Sequence, residues 1–332
     1  MFYNKIEGKN MSYKPPFTIT SKMLNLVSKI SESLIKIEIL EHNIITPYLR
    51  KVNRIKTLAG TLEIEGNFLG EEKITAILEG KKVLGTVLEL AEVNGAIKAY
   101  EKFEEYDCYA LSDLLKAHKI LMNEILTKAG TFRKVNVGVG GKSGVTHVAP
   151  PYERVPELMS DLFEWLKNSD EHPLIKSSIF HYEFEFIHPF SDGNGRIGRL
   201  WQSVILYNYK KVFSSIATES IVRDYQESYY KALEDSGALG ESTPFIEFML
   251  EMILEAIQKV GNKVGNKVGN NLTENQMQIV QNMKENSKIS AKKLSDIVGI
   301  SVRKIEENIS KLKEMKMIDR VGGTRGYWEV IV

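Results

Sequence analysis

The interpretation of this 332-residue chain depends on residues 188–199, which read HPFSDGNGRIGR. The segment follows an apolar run, IFHYEFEFI, and opens a stretch in which apolar residues recur at helical spacing. A glycine-rich turn at a helix N-terminus presents backbone N–H groups without intrahelical acceptors, and the helix dipole adds positive charge there. The sequence therefore predicts an anion site suited to phosphates.

Four residues of this loop have the chemistry of a polyphosphate site. Gly193 and Gly195 carry no Cβ, so the backbone can approach phosphate oxygens closely. Arg196 and Arg199 are three residues apart and share a helix face, which suits them to clamp a polyphosphate between two guanidinium groups.

Two further side chains of the loop suggest a reaction. Asp192 offers a hard oxygen ligand for a Mg²⁺ ion that bridges phosphates. His188 has the pKa range of a group that accepts a proton from a hydroxyl at neutral pH. Together with the anion site, these residues predict the transfer of a phosphorus-centred group from a nucleotide to an alcohol.

The composition is that of a folded protein without an internal disulfide bond. Hydrophobic residues make up 43% and charged residues 26%, which excludes a disordered chain. A formal net charge of +1 indicates neither a nucleic-acid nor a membrane partner. The single Cys108 excludes an internal disulfide and favours a cytoplasmic location. No signal peptide is expected, and acidic residues interrupt the most apolar late stretch, which argues against a membrane span.

Charge and repeats divide the chain. Residues 260–332 hold 13 basic and 8 acidic residues, and they begin with the repeat VGNKVGNKVGNN. We interpret 259–271 as a linker; fraying of the preceding helix is the alternative. The expected divisions are an N-terminal helical region (1–110), a catalytic core (111–258), the linker and a C-terminal module (272–332).

Periodicity predicts a mainly α protein with one exception. Val135, Val137 and Val139 alternate with a period of two, a Gly-rich turn follows, and Pro150-Pro151 ends the segment. A hairpin is therefore expected within about 132–149. Because an isolated hairpin is marginally stable, this one is expected to lie against the helical body as a flap.

The loop matches the signature HPFx[D/E]GNGRxxR at every fixed position, and the chain therefore resembles the Fic family over roughly residues 12–258. The resemblance implies a helical fold and the transfer of AMP from ATP to a Ser, Thr or Tyr hydroxyl of a target protein. Relatives that use UTP, GTP or CDP-choline share the same loop, so the base of the nucleotide stays open. On that pattern His188 is the base and Asp192 holds Mg²⁺. The ATP site is expected to comprise Asp192, Gly193, Asn194, Gly195, Arg196 and Arg199 in the loop, Val139 and Gly140 in the flap, and Tyr229, Tyr230 and Leu233 around adenine. A core stripe on a helix is the alternative for these last three.

A second motif predicts inhibition. An apolar stripe at helical spacing ends in Glu65, an acid on a face that would otherwise be buried. The stretch TLEIEGN, with Thr61, Glu65 and Gly66, resembles the [S/T]xxxE[G/N] motif of Fic proteins with an N-terminal inhibitory helix, here about 53–66. By resemblance, Glu65 pairs with Arg199 and withdraws that guanidinium from the γ-phosphate, and Glu65 thereby belongs to the ATP site.

The inhibitory helix leaves several alternatives open. Gly60 is expected to weaken it by about 1 kcal/mol relative to Ala, consistent with a helix that releases. Some relatives use the same glutamate to orient water and reverse the modification, so de-AMPylation is an alternative activity. Inhibition within one chain or across a homodimer, and self-modification, are equally open.

Residues 272–332 resemble a winged helix-turn-helix domain. Ser290 is expected to cap a helix to Ile297, Ser301 a second helix to about Met315, and residues 320–328 to form a hairpin. The expected DNA contacts are Ser301, Arg303, Lys304 and Arg325. Glu306, Glu307 and a net charge of only +3 weaken this case, so docking of a protein or dimerisation is the alternative. A nucleotide-sensing DNA-binding regulator is accordingly the second function considered.

Overall fold

A computed structural model describes residues 13–44, 47–141, 144–271, 273–314, 317–322 and 326–330, with side chains for all of these except 36, 38–44, 47–49, 139, 141, 144–147 and 262–271. The predicted mainly helical class is confirmed. The helices are α1 Ser21–Ile44, α2 Pro47–Ile64, α3 Gly70–Leu78, α4 Val87–Glu101, α5 Leu111–Met122, α6 Val155–Asn168, α7 Pro173–Ile187, α8 Asn194–Tyr209, α9 Thr218–Asp224, α10 Gln226–Leu239, α11 Thr243–Asn271, α12 Glu274–Glu285, α13 Ala291–Val298 and α14 Val302–Glu314. The strands are β1 Gly138–Gly141, β2 Gly144–Val148, β3 Ile318–Val321 and β4 Tyr327–Val330. No helix among these described residues is long and apolar enough to cross a membrane.

Contacts divide the chain into two compact units. The larger comprises Met1–Ile35 and Thr46–Gln258, and the smaller Lys36–Ile45 and Lys259–Val332. In the larger unit, α7 and α8 pack closely against each other. Phe180 and Phe184 of α7 and Trp201 of α8 are fully buried. Because α7 is buried on nearly every side, it runs through the core and delivers the loop that follows it to a fixed position.

The packing of α2 against α9 gives Gly60 a role that differs from the expected one. A Cβ at this position would lie 2.7 Å from the backbone nitrogen of Ser220 and 2.8 Å from the carbonyl of Glu219. Gly60 therefore permits close approach of the two helices, and its effect on intrinsic helix propensity is secondary. The end of α2 is capped by Gly66, whose φ of 90° is readily adopted only by glycine.

The hairpin is shorter than the alternation of valines predicts. β1 and β2 pair antiparallel, with Gly138 opposite Val148 and Val139 opposite His147, and the register shifts between Val139 and Gly140. Val135 and Val137 precede β1 and lie outside the strand. β2 packs against α10, so the hairpin lies on the helical body of its own unit.

The smaller unit has its own core. α12, α13 and α14 and the antiparallel pair β3–β4 enclose buried Ile279, Met283, Leu294, Ile305 and Leu312. Ser290 caps α13 by accepting a hydrogen bond from the Lys293 amide at 3.2 Å. The backbone of the expected linker is helical, because α11 continues through 260–271.

Candidate active site

The loop starts at His188, which caps α7. Its φ of 49° places it in the left-handed region, and it is the one non-glycine residue with positive φ in the described part of the chain. Its amide donates to the Phe184 carbonyl at 2.9 Å. Strained backbone of this kind persists where the surroundings hold it, and it often marks a functional residue. Gly193, with φ of 79°, then begins α8.

Arg133 holds this strained backbone. Its Nε donates to the His188 carbonyl at 2.8 Å, and its two terminal nitrogens donate to the carbonyls of Val135 and Pro150. Its own amide donates to the Pro189 carbonyl at 2.9 Å. One buried guanidinium therefore ties the loop to the segments on both sides of the hairpin. Sequence reasoning missed Arg133, since nothing in its local pattern marks it.

Hydrogen bonds and packing within the loop hold the rest of the turn. The Asn194 Oδ1 accepts from the Phe190 amide and its Nδ2 donates to the Phe190 carbonyl, each at 2.9 Å. The His118 ring stacks on Phe190 at 3.6 Å between centroids, and its Nε2 lies 3.0 Å from the Asp192 carbonyl oxygen. A Cβ at Gly193 would lie 2.7 Å from the Met122 sulfur. Asn194, expected at a phosphate, thus uses its side chain to shape the loop.

Arg199 is buried and hydrogen-bonded to Thr61 of α2 and to Glu65, which follows that helix. Its terminal nitrogen donates to the Glu65 Oε1 at 2.7 Å and to the Thr61 carbonyl at 3.2 Å, and its Nε donates to the Thr61 hydroxyl at 3.0 Å. Burial alone would lower the pKa of Arg199, but the Glu65 carboxylate raises it above its ordinary value. A Cβ at Gly195 would lie only 2.5 Å from the Glu65 Oε1, so the absence of a side chain at 195 makes room for this pair.

Arg196 is paired as well, by a partner that sequence reasoning missed. Its guanidinium donates to Glu92 of α4 at 2.8 Å and lies 3.4 Å from the Asp192 Oδ1. Glu92 also accepts from the Asn67 side chain at 2.9 Å. Both arginines of the loop are therefore neutralised by carboxylates from upstream helices or the turns that follow them. The Asp192 carboxylate also accepts from the Gly193 amide and keeps 52% of its side chain exposed.

The His188 ring lies beside a second carboxylate. Its Nδ1 is 4.0 Å from the Glu185 Oε2, one helical turn earlier, and Glu185 is also 3.7 Å from the His181 Nε2. Burial would raise the pKa of the Glu185 carboxyl, yet His181, His188 and Arg199 hold it below its ordinary value. His181 and His118 are also buried and hydrogen-bonded; the side chains of His42 and His147 lie outside the described ones.

The residues expected around adenine do not share one environment. Tyr229 is 2% exposed, and its hydroxyl lies 3.2 Å from the His181 Nε2, so it belongs to the core. Tyr230 is 47% exposed and Leu233 is half-buried, on the outer side of α10. Val139 and Gly140 lie in β1 at the register shift.

The expected nucleic-acid contacts of the smaller unit are exposed. Ser301 precedes α14 and accepts from the Lys304 amide at 3.4 Å, and Lys304 and Arg303 face solvent. Arg303 pairs with Glu307 at 3.2 Å. Arg325 lies outside the described residues.

Comparison with known proteins identifies the family. The family model for Fic/DOC matches residues 108–206. The crystal structure of a Fic family protein from Desulfovibrio desulfuricans is similar with a TM-score of 0.73 and 38% identity, over 96% of this chain and 98% of that one. A Fic-1 structure from Caenorhabditis elegans, at 22% identity and a TM-score of 0.59, shares the fold over 74% of this chain and 73% of that one.

Curated relatives are named for an activity. Protein adenylyltransferase fic-1 of Caenorhabditis elegans is 30% identical over 203 residues, 57% of this chain and 37% of the relative. Protein adenylyltransferase Fic of Culex quinquefasciatus is 29% identical over 210 residues, 59% of this chain and 39% of the relative. The matched part thus spans less than two fifths of the length of these relatives. The whole-length similarity to the Desulfovibrio desulfuricans protein, together with the complete loop, shows that this chain belongs to the Fic family.

Proposed function

We propose that the chain is a protein adenylyltransferase, which transfers AMP from ATP to a Ser, Thr or Tyr hydroxyl of a protein target and is restrained by Glu65. The single observation that carries the proposal is the arrangement of the loop. His188 ends α7 and Gly193 begins α8, so that one buried, clamped turn holds a base beside a helix N-terminus. The names of the relatives support AMP as the transferred group.

In the proposed reaction, His188 accepts the proton of the target hydroxyl. The hydroxyl oxygen forms a bond to the α-phosphorus of ATP, the bond from that phosphorus to the bridging oxygen breaks, and pyrophosphate leaves. The amides at the start of α8 bind phosphate oxygens. Arg196 then exchanges part of its contact with Glu92 for the β- and γ-phosphates, which carry the charge that develops on the leaving group.

The residues present fit a Mg²⁺ ion. Groups of three or more His, Cys, Asp or Glu side chains suited to a metal are absent from the described residues. Mg²⁺ needs no such group, because it commonly binds through one or two carboxylates together with substrate phosphates and waters. The half-exposed Asp192 carboxylate at the N-terminus of α8 would hold it. When bound, the ion neutralises phosphate charge.

The proposed restraint acts through Arg199. Its three hydrogen bonds to Thr61 and Glu65 hold the Nε and one terminal nitrogen of this guanidinium against those residues, and the Glu65 carboxylate neutralises its charge, so Arg199 cannot bind a γ-phosphate in the productive pose without breaking them. We expect ATP to bind the restrained form without correct alignment of its α-phosphate. Gly66 ends the inhibitory helix, and it allows the turn from which Glu65 reaches Arg199.

Other assignments follow from the same proposal. The proposal assigns Val139, Gly140, Tyr230 and Leu233 to the surroundings of the nucleotide, and the buried Tyr229 packs against the Tyr230 ring. We infer that the smaller unit is a winged helix-turn-helix domain, since three helices precede an antiparallel hairpin. Its exposed Ser301, Arg303 and Lys304 form the candidate surface for DNA, although the Arg303–Glu307 pair favours a protein partner, including a second copy. The buried single cysteine, Cys108, suits a cytoplasmic location.

The proposal is tested by intact mass spectrometry of the full chain. The Glu65→Gly variant is incubated with ATP and Mg²⁺, alone and with a cell extract, beside the Glu65→Gly/His188→Ala double variant. A mass gain of one AMP, or labelled AMP in extract proteins, is expected only while His188 is present. Transfer that persists without His188, or no transfer in either preparation, contradicts the proposal. Loss of AMP from an already modified protein would instead assign de-AMPylation.

A further inference from the structure

A carboxylate outside the family signature lies against the proposed base. Glu185 is on α7, three residues before His188, and only 12% of its side chain is exposed. Its Oε2 lies 4.0 Å from the His188 Nδ1, and its Oε1 lies 3.7 Å from the His181 Nε2. The carboxylate is thus enclosed between two imidazole rings, and one of them is the ring that would move the proton.

The facing helix makes room for this carboxylate. A Cβ at Gly198 of α8 would lie 2.9 Å from the Glu185 Oε1 and 3.2 Å from the Phe184 ring. Gly198 is in the interior of α8, where glycine costs about 1 kcal/mol relative to alanine, and its φ requires no glycine. The packing reason is therefore the close approach of the Glu185 carboxylate, which a side chain at 198 would displace.

The surrounding groups keep Glu185 ionised. His181 is fixed by its own contacts, because its Nδ1 lies 2.7 Å from the Gln202 Oε1 and its Nε2 lies 3.2 Å from the Tyr229 hydroxyl. Burial raises the pKa of the Glu185 carboxyl, but His181, His188 and Arg199 together bring it below the ordinary value. The Oε1 atom, which faces His181, has no hydrogen-bond partner among the described residues, and the Oε2 atom faces His188.

We infer that Glu185 is the positioning residue of the base. Facing the Nδ1 edge of His188, it favours the tautomer in which Nδ1 carries the proton and Nε2 is free to accept one. It also stabilises the imidazolium formed when the target hydroxyl gives up its proton. Glu185 itself neither gains nor loses a proton, and the proton leaves the imidazolium for solvent after transfer.

The separation fits this role. A distance of 4.0 Å exceeds a hydrogen bond, but catalytic contacts often tighten only when substrate is bound or charge develops. A carboxylate at this distance from an imidazolium stabilises the charged form, whereas a neutral amide of the same shape does not. The inference rests on the proposed function, in which His188 is the base.

The experiment compares two buried glutamates of the same helix in the Glu65→Gly background. Glu185→Gln removes the carboxylate beside His188. Glu183→Gln is the matched control, because Glu183 is 4% exposed and its partner is the hydroxyl of Tyr13. For Glu185→Gln we expect kcat of AMP transfer to fall about 10- to 100-fold with KM for ATP unchanged, and the acidic limb of the pH–rate profile to move down by about one pH unit or more. Glu183→Gln keeps both quantities near those of the background.

Gly198→Ala is the second variant. It keeps every charge but displaces the Glu185 Oε1, so the separation of the carboxylate from His188 changes and the pH–rate profile should shift by a smaller amount than in Glu185→Gln. If Glu185→Gln does not fold, this variant carries the test. NMR titration of the histidine rings, which requires no turnover, should show a lower pKa for His188 in Glu185→Gln and a smaller change in Gly198→Ala.

The outcomes separate the inference from the proposed function. If His188→Ala abolishes transfer while Glu185→Gln and Gly198→Ala leave kcat, the pH profile and the His188 titration unchanged, the role of Glu185 is refuted and the function survives. If His188→Ala retains transfer, the proposed base is wrong, and an unaltered His188 titration in the variants would also reject the coupling.

Discussion

Glu65→Gly releases Arg199 from the strongest of its three contacts, and its effect can be estimated from the structure. The Glu65 Oε1 accepts a charge-assisted hydrogen bond of 2.7 Å from a guanidinium that is 3% exposed. Bonds of this kind contribute about 1.5–3 kcal/mol, and each 1.4 kcal/mol is tenfold in an equilibrium. The population with a free Arg199, and with it the initial rate of AMP transfer, is expected to rise about 10- to 100-fold. The two bonds to Thr61 remain, so release is incomplete.

Thr61→Val tests how much of the restraint on Arg199 comes from Thr61 and how much from Glu65. It removes only the hydroxyl that accepts from the Arg199 Nε, a bond of about 1 kcal/mol, so the rate should rise about fivefold. Combined with Glu65→Gly, it should add a further increase until every molecule is released. The assay is transfer of labelled AMP from saturating ATP under single-turnover conditions.

Glu63 provides the matched control for this prediction. It lies two residues before Glu65 and also pairs with an arginine, but its partner is Arg223 at 2.9 Å. Glu63→Gly should therefore leave the rate near that of the unmodified chain. Equal activation by Glu63→Gly and Glu65→Gly would refute the reasoning, because loosening of the helix end, and not release of Arg199, would then explain the gain.

Three further predictions concern the scaffold. Gly60→Ala should lower the free energy of unfolding by about 1–3 kcal/mol despite better helix propensity, whereas Gly237→Ala, with no atom within 4 Å of its added Cβ, should not; urea denaturation measures both. Arg133→Met leaves several loop carbonyls without their donor, so hydrogen exchange across 184–194 should accelerate and AMP transfer fall at least tenfold. Burial lowers the pKa of His118 from 6.5 to about 4. The stability that the neutral His118 ring contributes is therefore full above pH 6.5, and up to about 3 kcal/mol of it is lost as the pH falls towards 4. His118→Gln should flatten this dependence of the free energy of unfolding on pH.

The loop itself was accessible to sequence reasoning because its chemistry is local. A base, an acid, two glycines and two arginines within twelve residues restrict the interpretation, and the helical spacing after residue 194 places them at a helix start. The contact of Glu65 with Arg199 spans 134 positions, and it was expected only because a second short motif resembles a family pattern. Helical periodicity alone predicted that Glu65 lies on an otherwise apolar face, and it did not identify Arg199 as its partner.

The partners of the loop could not be predicted for a different reason. Arg133, Glu92 and His118 are ordinary residues in their own segments, and each acquires its role by packing against carbonyls or charges that are distant in sequence. Hydrogen bonds to backbone carbonyls require no particular partner residue, so no pairwise pattern reveals them. The same limit explains Gly60, for which propensity gave a plausible reason and the backbone of α9 gave the actual one.

The contacts that restrain the loop also explain why it can be restrained at low energetic cost. Arg196 and Arg199 are both buried, and a buried guanidinium without a partner is expensive, so each needs an anion in every state. Glu92 and Glu65 supply those anions when the phosphates of ATP do not. Exchange of one anion for another keeps the charges of the site balanced, and the free-energy difference between the two states can therefore remain within a few kcal/mol. Replacing Glu65 by glycine removes one of these anions, so the released Arg199 should bind nucleotide phosphate more tightly as well as align it. Calorimetry should show a lower dissociation constant for ATP in Glu65→Gly, and an unchanged or weaker affinity would contradict anion exchange at Arg199.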